Sequence, residues 1–187
     1  NYEIYSYVVS GEMQHKDSMG NIETIGRGDV QFTSAGEGIY HSKYNVHPTD
    51  TLHFLQIWVE PNEEDLKPAY STKHFTDAEK TNKLRAVVAP NGNELGCIKI
   101  NQDVTTYASI LEKNNKIEYT LTPKRRGLIQ MITTAPGVGI KVTTGDKTIH
   151  LEGGDVLQVF KSDQDIKLTF EGDSDIPTEF LFFDIGK

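Results

Sequence analysis

The motif Arg27-Gly28-Asp29-Val30 has a counterpart at Gly153-Gly154-Asp155-Val156, and the shared glycine positions, 28 and 154, are 126 residues apart. Each copy follows a hairpin-like stretch and precedes a hydrophobic run. A repeat at this distance indicates two similar modules. Gly-Asp turns are common in β proteins, so a chance match is the alternative explanation. The motif predicts a chain made of two units of the same kind.

Short runs of aromatic and β-branched residues lie between turn signals rich in Gly, Asn and Asp, for example at 51–59, 98–102 and 179–183. Many short strands at this spacing are typical of an antiparallel sandwich or barrel. The one helix candidate follows Phe75 and is short. The sequence therefore predicts an all-β protein with two antiparallel β-barrels.

The predicted domain boundaries follow from composition. Residues 61–82 contain prolines and several carboxylates but few apolar side chains, and they are predicted to be a linker. Residues 1–60 then belong to a first domain and residues 83–187 to a second. Because residues 1–11 have a strand pattern from the first position, we expect the first domain to be incomplete at its N-terminus.

Composition excludes several classes of protein. The 187 residues carry a formal net charge of −8, which disfavours a direct nucleic-acid partner. No apolar run reaches the roughly 20 residues of a membrane span, and we expect no membrane association. A single cysteine, Cys97, excludes an internal disulfide framework and a multi-thiolate zinc site. We expect a cytoplasmic protein, with the nucleus as the alternative.

The segment 34–45, SAGEGIYHSKYN, contains the pattern Gly38-x-x-His41-x-x-x-Asn45, which resembles the second motif of the cupin superfamily. Around it, several runs resemble the pirin family of two-domain cupins, and most closely its bacterial quercetinase branch. These runs are 7–21, 28–31, 52–59, 98–103 and 179–184. The resemblance implies two jelly-roll-like cupin barrels, with a metal site in the first and none in the second.

The resemblance also implies a ligand set. Pirins use a His-x-His pair upstream of the first strand, a histidine that matches His41, and a glutamate two residues later. The upstream pair is missing from this sequence, and Lys43 stands at the position of the glutamate, which serves the family as ligand and base. Residues two apart in a strand share a face, so Lys43 is predicted to project beside His41. Glu3 is either a substitute ligand or an ordinary strand residue.

Three further polar residues are candidates for the same barrel. His53 and Gln56 lie in the apolar run 52–59, where each either lines the pocket or fills the barrel. His53 as a metal ligand is weighed against a hydrogen-bonded core role. His15 lies near the end of a hairpin beside Lys16 and Asp17, and it is expected to be exposed.

The implied function is that of a quercetin 2,3-dioxygenase, which opens the flavonol ring with dioxygen. The implied cofactor is Fe(II) or another divalent metal, and the implied partner is a small aromatic substrate such as a flavonol. Lys43 argues against full metal binding, because an ammonium group repels a cation. Two alternatives therefore stay open: a non-enzymatic regulatory pirin with a protein partner, and a degenerate cupin that binds a small ligand without metal.

Overall fold

The computed structural model describes residues 2–36, 38–133 and 135–186. Strands dominate these residues and the two helices have four residues each, which confirms the all-β prediction. The first strands are β1 (Glu3–Ser10), β2 (Met13–Asp17), β3 (Ile22–Ile25), β4 (Asp29–Ser34), β5 (His41–Asn45), β6 (His53–Val59) and β7 (Ala69–His74). They are followed by α1 (Asp77–Lys80), β8 (Arg85–Ala89), α2 (Gly92–Leu95), β9 (Ile98–Lys99), β10 (Val104–Leu111), β11 (Lys116–Leu121) and β12 (Arg126–Met131). The last strands are β13 (Gly139–Thr144), β14 (Lys147–Glu152), β15 (Val156–Val159), β16 (Ile166–Gly172) and β17 (Thr178–Ile185).

The first of two compact units comprises Asn1–Thr76 and Pro90–Gln102. It contains an antiparallel sheet in the order β6-β1-β4-β7 and a three-stranded antiparallel sheet in the order β3-β2-β5. Strand β7 lies inside the segment predicted to be a linker, 61–82, and pairs along the whole of β4. The alternation of Tyr70 and Thr72 with more exposed neighbours is a strand pattern that the flanking prolines and carboxylates concealed.

The repeated glycines mark equivalent turns. Gly28 precedes β4 with φ +84°, and Gly154 precedes β15 with φ +88°. This left-handed region is costly for residues with a side chain. A Cβ atom at Gly28 would also lie 2.5 Å from the carbonyl oxygen of Phe75. The motif that suggested two modules therefore has the same backbone role in both of its copies.

The second unit comprises Asp77–Ala89 and Asp103–Lys187. Its strands β15, β12, β17, β10 and β8 lie side by side in that order, and β11-β16-β13-β14 form a second antiparallel sheet. Phe170, Phe180 and Phe182 are fully buried at the centre of the core of this unit. None of the described helices is long and apolar enough to cross a membrane.

Strand β1 positions the functional features of the first unit, because both of its faces are covered. Alternation places Ser6 and Val8 on one face, here called the inner face, and Glu3 and Tyr5 on the other, the outer face. All four are buried. On the inner face, Val8 packs in a small apolar cluster with Met13 and Ile25, flanked by Leu52 and Phe54.

Candidate functional site

A polar cluster lies on the inner face of the first unit. The β2–β5 register places Asp17 opposite His41 and His15 opposite Lys43, so all four side chains share one face. The Nζ atom of Lys43 donates a hydrogen bond to Ser6 Oγ at 2.5 Å, which brings this group to the inner face of β1. We call Ser6, His15, Asp17, His41 and Lys43 the inner cluster.

Asp17 is a fixed acceptor within the cluster. It lies 3.0 Å from His15 Nε2 and accepts hydrogen bonds from the backbone N–H groups of Met19 and Asn21. Burial would raise the pKa of Asp17, but the hydrogen bonds from Asn21, His15 and Met19 outweigh it and lower the pKa. An ionised Asp17 requires that His15 Nε2 carries a proton. In the neutral ring, His15 Nδ1 is then an acceptor, and it is buried without a partner in the described part of the chain.

The expectation that His15 is exposed was wrong, because His15 is completely buried. The ring of Tyr70, from β7, stacks on it with centroids 4.9 Å apart. Tyr70 is held in turn by a hydrogen bond from its hydroxyl to Glu23 at 2.8 Å. Burial and the Glu23 carboxylate raise the pKa of Tyr70, so it stays a donor. Sequence analysis missed Asp17, Glu23 and Tyr70, although the alternation of Met13, His15 and Asp17 was a usable signal.

His41 lies with its ring centroid 5.8 Å from that of His15. Burial lowers its pKa, and the charges of Lys43 and His15 lower it further against the opposing effect of Asp17. The His41 Nδ1 atom is buried and has no hydrogen-bond partner among the residues that the structure describes. His41 therefore contributes a neutral imidazole with a free acceptor nitrogen to the inner cluster.

Lys43 shares the inner face with His41, as the two-residue spacing predicts. Its ammonium group lies 5.9 Å from the centroid of the Phe54 ring. Burial lowers the pKa of Lys43 to about 8. At neutral pH the charged form therefore still predominates, and the neutral amine becomes the main form above about pH 8.

The Lys43 environment predicts a pH dependence of stability. The pKa of Lys43 falls from 10.5 to about 8 on folding, so between these pH values the unfolded state binds more protons than the folded state. The free energy of unfolding should therefore rise with pH across this window in the wild-type protein. The contribution of Lys43 to this rise should be absent from Lys43→Met, as urea unfolding from pH 7 to 11 would show.

Lys16→Met is the matched control, because Lys16 lies on β2, the strand paired with the Lys43 strand, but is exposed. Its pH profile should match that of the wild-type protein. Parallel profiles for the wild-type protein and Lys43→Met would contradict a lowered pKa. Nitrogen-15 NMR of the Lys43 amine provides a direct measurement.

Glu3 is not brought to His41. It is three residues from Ser6 on β1 and lies on the outer face, where it is completely buried. Its two carboxylate oxygens accept hydrogen bonds from the backbone N–H and the side-chain amide of Asn101, at 2.8 and 2.7 Å. Burial raises the pKa of Glu3 despite these bonds. The structure therefore gives Glu3 no part in a site around His41.

The two pocket candidates on β6 lie on opposite faces. Gln56 pairs with Ser6 and shares the inner face, but it is exposed, and its Oε1 accepts a hydrogen bond from Trp58 Nε1 at 3.1 Å. His53 precedes Phe54, which contacts Lys43, and so projects to the other side of the strand. Gln56 therefore borders the inner cluster through its neighbour Ser6, whereas His53 lies on the other face.

Comparison with known proteins identifies the family. Residues 1–59 match the sequence profile of the family Pirin, and residues 86–185 match that of the quercetinase C-terminal cupin domain. The chain belongs to the pirin family. Its two β-sheet units are therefore cupin units, as the sequence motifs predicted.

Several bacterial proteins are similar to this chain in sequence and structure. A quercetin 2,3-dioxygenase from Escherichia coli K12 is 37% identical over 145 residues, which cover 77% of this chain and 61% of the relative. A pirin-like protein from Caulobacter vibrioides is 28% identical over 82% of this chain and 64% of its own length. The chain thus spans about three-fifths of the length of these curated relatives. The crystal structure of YhhW from Escherichia coli has a TM-score of 0.82 at 30% identity, covering 98% of this chain and 71% of that one.

A second structure of the Escherichia coli pirin YhhW is a complex with nickel(II), with a TM-score of 0.82 at 29% identity over 99% of this chain and 72% of that one. In the present chain, His41 and His15 each offer a buried unpartnered Nδ1 atom. However, the described residues contain no group of three His, Cys, Asp or Glu side chains that could hold a metal. Lys43 adds a cationic group beside His41. These residues by themselves do not fit a divalent metal.

Proposed function

We propose that this protein is a pirin-type dioxygenase that opens the ring of flavonols such as quercetin, with the substrate bound at the inner cluster beside His41 and Lys43. The inner cluster carries the proposal: it places two imidazoles and an amine of lowered pKa on one face of the three-stranded β3-β2-β5 sheet. The quercetin 2,3-dioxygenase activity named for relatives at up to 37% identity supports it.

The residues of the inner cluster can bind and deprotonate a flavonol hydroxyl. As a neutral amine, Lys43 accepts the proton; once protonated, it pairs with the flavonolate oxygen. Phe54, which lies against Lys43, provides an apolar surface for a flat aromatic ring. Asp17 fixes the His15 ring, and the free Nδ1 atom of His15 can accept a hydrogen bond from a second substrate hydroxyl.

The relatives support a divalent metal cofactor for the family, and iron(II) is the ion that we propose to test first. Because the residues of this chain do not complete a metal site, we assign to them only binding and proton transfer. Purified full-length protein should consume quercetin and dioxygen in equal amounts, followed by the loss of flavonol absorbance and by an oxygen electrode. The assay is run with added iron(II), with nickel(II) and after chelation.

His41→Ala should lower the rate of quercetin loss at least ~100-fold, a loss typical of removing a positioned polar group from a catalytic site. His150→Ala is the control, because His150 is an exposed residue of the second unit, and its rate should equal that of the wild-type protein. Equal rates of quercetin loss for the two variants would show that turnover does not require the inner cluster.

A second function is favoured by one observation: the Lys43 ammonium, bonded to Ser6, stands beside His41 where the family pattern has a carboxylate. In this second proposal the protein is a metal-free binding module of the pirin fold. It predicts that quercetin binds, with quenching of Trp58 fluorescence or a calorimetric signal, but is not consumed under any metal condition.

A further inference from the structure

The first unit has a cavity on the outer face of β1, β4 and β7, on the side of β1 away from the inner cluster. Its volume is about 430 Å³, and its walls belong to the first unit alone. The register places Glu3 opposite Ser34, and Ser34 opposite Ala69, so these residues share the outer face and form the floor. The segment Ile98–Asn101 forms the facing wall. We call this cavity the outer cleft.

The floor of the outer cleft carries unused hydrogen-bonding capacity. Ser34 is only 4% exposed, and its Oγ atom has no hydrogen-bond partner within the described residues. A buried hydroxyl without a partner is unfavourable, and native structures rarely keep one without a role. Each Glu3 oxygen accepts one hydrogen bond from Asn101, and a carboxylate oxygen can accept a further one. The floor is therefore ready to interact with hydroxyl groups.

The rim of the outer cleft is cationic. Lys67, Lys73 and Lys99 line it, and all three are exposed. No ammonium group of the three forms an ion pair or hydrogen bond with another described residue. All three line the same cavity although the chain as a whole carries a net charge of −8. Such a local concentration of positive charge attracts an anionic group of a ligand.

The walls between floor and rim are largely apolar. Phe32 and Ile98 are both buried side chains that face the cavity. The volume of about 430 Å³ lies within the range of known small-molecule sites. Apolar walls favour a ligand with a ring. The floor can hydrogen-bond to hydroxyl groups of such a ligand, and the lysines of the rim can bind a negative charge on it.

We propose that the outer cleft binds a small hydroxylated aromatic carboxylate, with the carboxylate at the three lysines and the hydroxyl groups at Ser34 and Glu3. This assignment rests on the outer face alone and does not depend on the proposed catalytic function of the inner cluster. Loss of quercetin turnover would therefore leave it standing.

The test is calorimetric titration of the full-length protein with three probes: 3,4-dihydroxybenzoate, benzoate and catechol. The first probe has both ends of the proposed ligand, and each of the others has only one. We expect 3,4-dihydroxybenzoate to bind at least ~10-fold more tightly than either comparator. Benzoate lacks the hydroxyl groups that would hydrogen-bond to the floor, and catechol lacks the carboxylate that would bind the lysines. Its affinity should also fall as salt is raised from 20 to 200 mM, the chosen range.

Variants locate the binding. Lys99→Gln should weaken binding of 3,4-dihydroxybenzoate about 3- to 10-fold and reduce its salt dependence. Ser34→Ala should weaken binding of 3,4-dihydroxybenzoate by a similar factor but leave the affinity for benzoate unchanged. Lys147→Gln removes an exposed lysine of the second unit and is the matched control. Lys43→Gln removes the amine of the inner cluster, and both of these variants should bind like the wild-type protein.

Three results would overturn the proposal. The first is the absence of binding of 3,4-dihydroxybenzoate at millimolar concentration. The second is equal affinity for benzoate, which would show that the floor does not recognise hydroxyl groups. The third is loss of binding in Lys43→Gln while Lys99→Gln still binds, which would place the ligand at the inner cluster instead.

Discussion

Replacing Lys43 with glutamate is expected to raise the affinity of the full-length protein for a divalent metal at least ~100-fold. Two unit charges 4 Å apart interact by about 4 kcal/mol at an effective dielectric constant of 20, and a dication doubles this repulsion. The substitution removes a cationic group next to His41 and adds a carboxylate, a ligand that divalent iron and nickel accept. Metal content measured by mass spectrometry after dialysis should rise toward one ion per chain.

Two variants separate the causes of this effect. Lys43→Gln removes the charge without adding a strong ligand, so its metal content should lie between that of the wild-type protein and that of Lys43→Glu. Lys16→Glu makes the same charge change on the opposite face of the same strand pair, where Lys16 is exposed and pairs with Ser42. It should leave metal content unchanged. Equal metal content in the wild-type protein and Lys43→Glu would show that this position does not control binding.

Phe182→Ala should lower the free energy of unfolding of the second unit by about 3–5 kcal/mol. Phe182 is completely buried, and its ring lies 4.9 Å from that of Tyr119 and 5.4 Å from that of Phe170, measured between centroids. Truncation removes these contacts and leaves a cavity that paired strands on both sides of β17 prevent from closing. Urea unfolding followed by tyrosine fluorescence measures the loss.

The control for this prediction is Phe160→Ala. Phe160 is 72% exposed, so its truncation should change the free energy of unfolding by less than about 0.5 kcal/mol. Similar destabilisation of the two variants would mean that loss of an aromatic side chain, irrespective of burial, determines the effect.

The features of the fold that could be predicted are those set by local chemistry. The glycines at 28 and 154 adopt positive φ angles, and this requirement makes the repeated turn visible in the sequence. The two-residue period of a strand likewise predicts that Lys43 and His41 share a face. Segment β7 escaped prediction because its pairing with β4 spans about 40 residues, and the composition around it is typical of a linker.

The candidate site was predicted less completely, because its members meet through long-range pairing. His15 has charged neighbours in sequence, and long-range contacts, among them the stacking of Tyr70 from β7, bury it. Glu3 was weighed as a metal ligand from its position near the start of β1. Its actual partner, Asn101, is 98 residues away and covers the outer face, which no local pattern indicates.

Because both faces of β1 are buried, this strand tolerates few insertions or deletions. Side chains that face the inner cluster and side chains that face the outer cleft alternate along β1. Ser6 bonds to Lys43 on the first side, and Glu3 bonds to Asn101 on the second. Inserting or deleting one residue within β1, between Glu3 and Ser6, would shift by one position the pairing of the residues on one side of the change with β4 and β6, and those side chains would exchange faces. If the N-terminal side shifts, the Glu3 carboxyl group would face the inner cluster instead of Asn101. Single-residue insertions and deletions in β1 are therefore far more disruptive than most substitutions. Two-residue changes keep each side chain on its own face of the strand.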